Sequence, residues 1–196
     1  NMNTWLQENG YLALKPDASG RDYLKDIDWC RTKAYTFGLA GIYLNIKGRE
    51  ALGIVDKGAE ATALKREIAA KLSGLTDNGR LAINKAWPSD SLYKGPYLNA
   101  APDLIVGYAE GYRASWDAAV GKITPNVFED NEKAWSGDHC VEPHLVPGVL
   151  FCNRQIAATD PGIEDMAPTA LDLFGIPAPA YMEGKSVLVA APAPVD

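Results

Sequence analysis

The chain has two histidines, and both lie in one short polar stretch, Ser136-Gly137-Asp138-His139-Cys140-Val141-Glu142-Pro143-His144. Imidazole is neutral near pH 7, ligates metals and moves protons, which makes His139 a candidate for metal or acid–base chemistry. A metal site needs three or four donors, and one run supplies few of them. A ring hydrogen-bonded within its loop for purely structural reasons is the alternative. His144 follows five residues later, with prolines nearby. That is not the i, i+4 pair of a zinc-binding helix, so His144 reads as a surface residue. Cys140 beside His139 brings a thiol next to a base. Adjacent side chains seldom face one another, so the two are not expected to act as a nucleophile pair.

These residues need a rigid support. An acidic, Asn-containing segment (Glu129-Asp130-Asn131-Glu132) and Trp135 precede them, and the apolar run Val149-Leu150-Phe151 follows. The layout predicts a polar loop feeding a buried strand over 149–153, the setting in which chemistry is usually placed. Upstream, Asn3 can cap a short helix over 4–8 that stops at Asn9-Gly10. Tyr11 to Leu14 reads as a strand, and 15–28, with Pro16 and Gly20, as a loop. Ala34 to Leu39 and Gly41 to Ile46 read as two short strands, or one strand bent at Gly38 and Gly41. The charged turn Lys47-Gly48-Arg49-Glu50 follows them. Arg49 reads as solvated or ion-paired, with a phosphate-holding role as the alternative.

The clearest helix spans Gly58 to Leu72, with Leu64, Ile68 and Leu72 on one face and a Glu67–Lys71 pair at i, i+4. Leu81 to Trp87 reads as a strand closed by Pro88, and Leu104 to Tyr108 as a buried strand. Tyr108, Tyr112 and Trp116 are four apart, which would suit one helix face. The β-favouring residues and the glycines of 107–111 favour a strand. Further on, Asp165 can cap a helix with Pro168 in its first turn. Met166, Ala170 and Phe174 share one face, and Gly175 ends it. Val187 to Val189 is apolar, and the Ala/Pro-rich tail 190–196 is expected to fray. Strands and helices mix throughout, which predicts an α/β domain over residues 1–189.

At 196 residues the chain is long enough for one domain with a substantial core. Its formal net charge of −6 argues against binding a nucleic-acid polymer through its phosphates. An anionic substrate would then be held by a local positive charge such as a metal ion. No apolar run is long enough to span a bilayer, so no membrane role is expected. No signal peptide is visible at the N-terminus, which itself reads as cut, inside regular structure. The cysteines, Cys30, Cys140 and Cys152, are odd in number and lack a C-x-x-C, which fits a reducing compartment such as the cytoplasm.

Taken in order, several stretches together resemble one family. They are Gly137-Asp138-His139, then Val146-Pro147-Gly148-Val149-Leu150-Phe151, then 163–177 with its Asp165-Met166-Ala167-Pro168-Thr169-Ala170-Leu171 core, then Met182-Glu183-Gly184-Lys185-Ser186-Val187-Leu188. This is similar to the C-terminal half of the alkaline phosphatase superfamily, closest to its type I phosphodiesterase and nucleotide pyrophosphatase branch. The first twelve residues resemble the segment just after that family's Asp-His-Gly motif.

The resemblance implies a partial alkaline-phosphatase-like α/β sheet, parallel and flanked by helices. It implies a parent protein that uses two divalent metals, usually zinc, to cleave phosphodiester or phosphate-ester bonds in small molecules, nucleotides among them. It assigns His139 as a metal ligand through the family's Gly-x-His loop. It assigns no other ligand here, and Asp138 is as well explained as a loop hydrogen-bonder. The nucleophile and remaining donors are expected upstream of Asn1, so this chain alone is expected to be inactive and to self-associate through an unpaired sheet edge. A phosphomutase of the same superfamily and a non-catalytic α/β binding module with a structural His139 are the alternatives. The stretch 29–135 is where family members vary most, and it could shape the substrate pocket.

Overall fold

A computed structural model describes residues 1–135, 137, 138 and 140–189. The chain divides into two compact units, Asn1–Pro147 and Gly148–Asp196, of which the second is described as far as residue 189. The α/β class expected from the sequence holds: the structure is mixed, with a small sheet and a few helices. The tail expected to fray, residues 190–196, lies outside the described residues.

In the first unit, helix α1 (Met2–Glu8) begins two residues before the predicted start. Asn1, not Asn3, is its cap, accepting the Thr4 amide at 3.1 Å. Asn3 has another task. Fully buried, it accepts the Thr36 amide at 2.8 Å and donates to the Thr36 carbonyl at 3.0 Å, fixing α1 to the sheet. Strands β1 (Ala34–Thr36) and β2 (Gly41–Leu44) form a hairpin near the predicted positions. Helix α2 (Ala59–Leu72) buries Leu64, Ile68 and Leu72, as its spacing requires. The Glu67–Lys71 pair forms at 3.0 Å. A small hairpin of β3 (Thr76–Asp77) and β4 (Arg80–Leu81) leads into β5 (Ile83–Pro88), and β6 (Leu104–Tyr108) follows.

The main sheet has the order β1-β2-β6-β5, so β6 is a central strand, and every pairing in it is antiparallel. The resemblance implied parallel strands. The described sheet is antiparallel and lies wholly within 29–135. Ile42, Leu44, Leu104, Ile68, Leu72 and Leu6 fill the core between sheet and helices.

Three predicted strands are absent, each for a local reason. Tyr11 to Leu14 makes its backbone bonds to scattered partners. The Tyr11 carbonyl takes the amides of Lys33 and Ala34, the Ala13 amide goes to Thr32 Oγ1, and the Ala13 carbonyl takes the Asp28 amide. Only the single bridge Leu14–Ile27 results. Residues 110–116 turn at Gly111, whose φ of 84° breaks an extended chain. Ser115 then caps helix α3 (Trp116–Ala119), so the aromatic triplet falls on neither one strand nor one helix. In the second unit, residues 149–153 find no ladder partner among the described residues, and Val149 and Phe151 are 84% and 92% exposed. A strand without a partner has nothing to satisfy its amides but water.

That second unit is organised by α4 (Met166–Leu173) through its polar face. Asp165, Thr169 and Asp172, spaced i, i+4, i+7, all engage one passing segment. Asp165 Oδ1 accepts the Lys185 amide at 2.7 Å, Thr169 Oγ1 the Val187 amide at 3.0 Å, and Asp172 Oδ2 the Ser186 hydroxyl at 2.5 Å. Gly184 is needed because a Cβ there would overlap the Glu164 carbonyl. The Asp-x-x-x-Thr and Gly-Lys-Ser runs are thus two halves of one backbone lock. The predicted apolar stripe faces outward at Phe174, which is 81% exposed.

One prediction arises from the loop 15–28. The buried Asp26 carboxylate accepts three Arg21 groups, the amide at 2.9 Å, Nε at 3.0 Å and Nη2 at 2.7 Å. The Arg21 side-chain hydrogen bonds, and then its backbone bond, hold Asp26 well below the usual carboxylate range. A carboxyl depressed on folding stabilises the fold above its unfolded value of about pH 4 and loses that contribution as pH falls below it. Asp26→Asn should therefore lower stability at neutral pH and flatten its decline between about pH 4 and pH 2. Denaturant midpoints across that range check this, and parallel profiles for the two proteins would contradict it.

Candidate functional site

The polar loop is pinned to the carboxyl end of β6. Arg113, just past the Gly111 turn, is the clamp. Its Nε lies 3.1 Å from Asp138 Oδ2, with the two side chains 14% and 6% exposed. Its Nη1 donates to the Gly137 carbonyl at 3.2 Å, and the guanidinium sits 4.5 Å from the Trp116 ring centre. Asp138 Oδ1 accepts the Cys140 amide at 2.9 Å. Asp138 is therefore a loop hydrogen-bonder, the second of its two sequence readings. His139 itself lies outside the described residues, but both of its neighbours are tied down.

Cys140 lacks the electrostatics of a nucleophile. Burial raises its thiol above the ordinary value, and the Asp138 charge raises it further against a smaller effect of Arg113. A reactive thiolate needs the opposite shift. Tyr108, at the end of β6, is buried beside the same two residues. Burial above all, then Asp138 and Cys140, pushes its phenol well above the ordinary tyrosine value.

Two residues on, Glu142 packs against the sheet at Gly107 of β6 and Trp87 of β5. Its side chain is 1% exposed. A Cβ on Gly107 of β6 would overlap its Oε2, so a glycine at that strand position makes the slot it occupies. Trp87 Nε1 on β5 donates to the same oxygen at 3.4 Å. The other oxygen, Oε1, is 2.8 Å from His144 Nδ1. His144 is 80% exposed, as a surface residue should be, but it is tethered, which the sequence did not suggest.

A cleft of about 620 Å³ opens beside this loop's anchor, lined by Tyr108, Arg113, Trp116, Arg80, Asp77 and Phe128 among others. Its walls alternate rings and charges. Arg80 lies 5.3 Å from the Tyr112 ring centre, and the Tyr112 hydroxyl donates to Asp77 at 3.2 Å.

Among the described residues, no three His, Cys, Asp or Glu side chains are grouped so that they could hold a metal ion. The described donors therefore do not by themselves fit a metal centre. No helix of the described residues is long and apolar enough to cross a membrane. Arg49, the alternative phosphate-holder, is committed elsewhere. It clasps Asp103 through Nη2 at 2.6 Å and Nη1 at 3.2 Å, and Glu50 through Nε at 2.8 Å. No protein-family model, curated protein or solved structure matches the chain.

Proposed function

We propose that the chain is the C-terminal portion of an alkaline-phosphatase-like domain. The parent is a metal-dependent phosphohydrolase that cleaves phosphodiester or phosphate-ester bonds in small molecules, nucleotides included. The observation that carries this reading is the order of its motifs: the Gly137-Asp138-His139 loop, the Asp165–Gly175 run, and then Gly184-Lys185-Ser186. Two features of the loop support it. Asp138 Oδ1 accepts the Cys140 amide, and its Oδ2 faces Arg113 Nε at 3.1 Å as an ion pair with no hydrogen bond made. Arg113 holds Asp138 and the Gly137 carbonyl, and Asp138 holds the Cys140 amide, so the described residues on either side of position 139 are fixed to the first unit, as a ligand-bearing loop requires.

In this reading His139 supplies one donor to a pair of divalent metals, zinc for preference, and the others come from residues that this chain does not contribute. Such a pair, when bound, would supply Lewis-acid chemistry for a phosphate ester, with His139 as this chain's one donor to it. The antiparallel sheet and its cleft would form a lobe beside the metal centre and shape the substrate pocket. The test is hydrolysis of a chromogenic phosphodiester by the intact protein. Activity should vanish with a chelator, return with zinc, and fall by about a thousandfold or more in His139→Ala. The 196-residue chain by itself should show no metal-dependent hydrolysis. Full activity in His139→Ala would overturn the reading.

A further inference from the structure

The surroundings of Glu142 exceed what a loop anchor needs. Burying a carboxylate is unfavourable unless it is matched by donors. What a carboxylate adds is a charged acceptor for the N–H of an imidazole, and His144 Nδ1 stands 2.8 Å from Glu142 Oε1. With the carboxylate ionised and the ring neutral, that contact would place the ring's proton on Nδ1 and the lone pair on Nε2, which faces away from Glu142. With the His144 side chain 80% exposed, Nε2 is open to solvent.

A carboxylate-backed imidazole can serve a metal or a proton. A metal needs several convergent donors, and no such group of three exists among the described residues. Proton transfer needs only the one nitrogen. We propose that Glu142 and His144 form a proton-transfer site for ester hydrolysis, in which Glu142 positions the ring and His144 Nε2 acts on water at this face. The lone pair of Nε2 takes a proton from water as the water oxygen forms its bond to the ester centre. The same proton then passes to the leaving oxygen as that oxygen's bond to the centre breaks, which returns the neutral ring. For the identity of the ester, a phosphate ester, the proposal rests on the phosphohydrolase reading; for the proton transfer it does not.

The test uses the 196-residue chain with EDTA present, so that a failure of the metal reading cannot affect it. Long-range proton–nitrogen correlation spectra should show neutral His144 protonated on Nδ1 and bare on Nε2. In Glu142→Gln, Trp87 Nε1–H retains the amide oxygen, and the amide nitrogen then faces Nδ1. The tautomer should invert, removing the outward lone pair. Hydrolysis of ethyl dichloroacetate, an activated ester with which imidazole reacts by proton transfer, supplies the second readout. Its histidine-dependent rate should drop by roughly fivefold or more in both Glu142→Gln and His144→Gln. A wild-type His144 protonated on Nε2, or an unchanged rate in His144→Gln, would overturn the proposal. Should Glu142→Gln fail to fold, the wild-type spectrum and the exposed His144→Gln variant still decide it.

Discussion

Arg113→Ala should destabilise the first unit by about 3–5 kcal/mol, the usual result of removing one partner from a buried ion pair. The reason is what stays behind. Asp138 is 6% exposed, and Arg113 Nε, at 3.1 Å, is its cation. Losing the guanidinium also removes the donor to the Gly137 carbonyl and the face packed against Trp116. A surface pair would lose under about 1 kcal/mol, so the two cases are well separated. The urea midpoint should fall without a change in slope. Arg113→Ala combined with Asp138→Asn should recover part of the loss, because the stranded charge is then gone. In the intact protein the same change frees the loop on both sides of His139, and metal affinity should drop by about 10–100-fold, as expected when a ligand's support is removed. A destabilisation below about 1 kcal/mol would show that the clamp does not hold the loop.

Arg49→Ala should have a comparable effect on stability, again about 3–5 kcal/mol, and none attributable to phosphate binding. Arg49 joins the end of β2 to the start of β6. Besides Asp103 and Glu50, it donates to the Leu44 carbonyl at 2.7 Å, and Asp103 Oδ2 accepts the Leu44 amide at 2.7 Å. The three side chains are 22%, 10% and 15% exposed for Arg49, Asp103 and Glu50. Arg49→Lys should recover little, because a point charge cannot reproduce the fork that engages both Asp103 oxygens. Urea unfolding of the two variants checks this. A variant that unfolds like the wild type but loses substrate binding in the intact protein would restore the phosphate-holding role.

What was legible in the sequence follows from how local its causes are. Helix α2 declares itself because Leu64, Ile68 and Leu72 recur at helical spacing and are all buried. Strand β6 is readable because an uninterrupted apolar run has few other uses. Tyr11 to Leu14 looked like a strand for the same reason, but its hydrogen bonds are shared among Thr32, Lys33, Ala34 and Asp28, and no property of the four residues reveals that. Residues 149–153 have strand propensity, yet a strand is made by a partner, and propensity names none. The shared face of Met166, Ala170 and Phe174 on α4 was legible, but the bonds made by Asp165, Thr169 and Asp172 on its polar side were not, because they depend on where 185–187 passes.

The site divides in the same way. The Gly-Asp-His loop stood out by composition. Its supports did not: Arg113 lies 25 positions before Asp138, and Trp87 is 55 before Glu142. Gly107 carried one signal, a glycine interrupting a buried strand, which marks close approach by another group. Glu142, two residues from His144, carried another. Only the fold joins the two.

The most direct test of the central claim is the anomalous scattering of zinc in crystals of the intact protein. The account predicts a zinc peak within bonding distance of the His139 ring, with Asp138 turned away toward Arg113 and outside the coordination sphere. Zinc bound without His139, with that ring packed among hydrocarbon side chains, would contradict it.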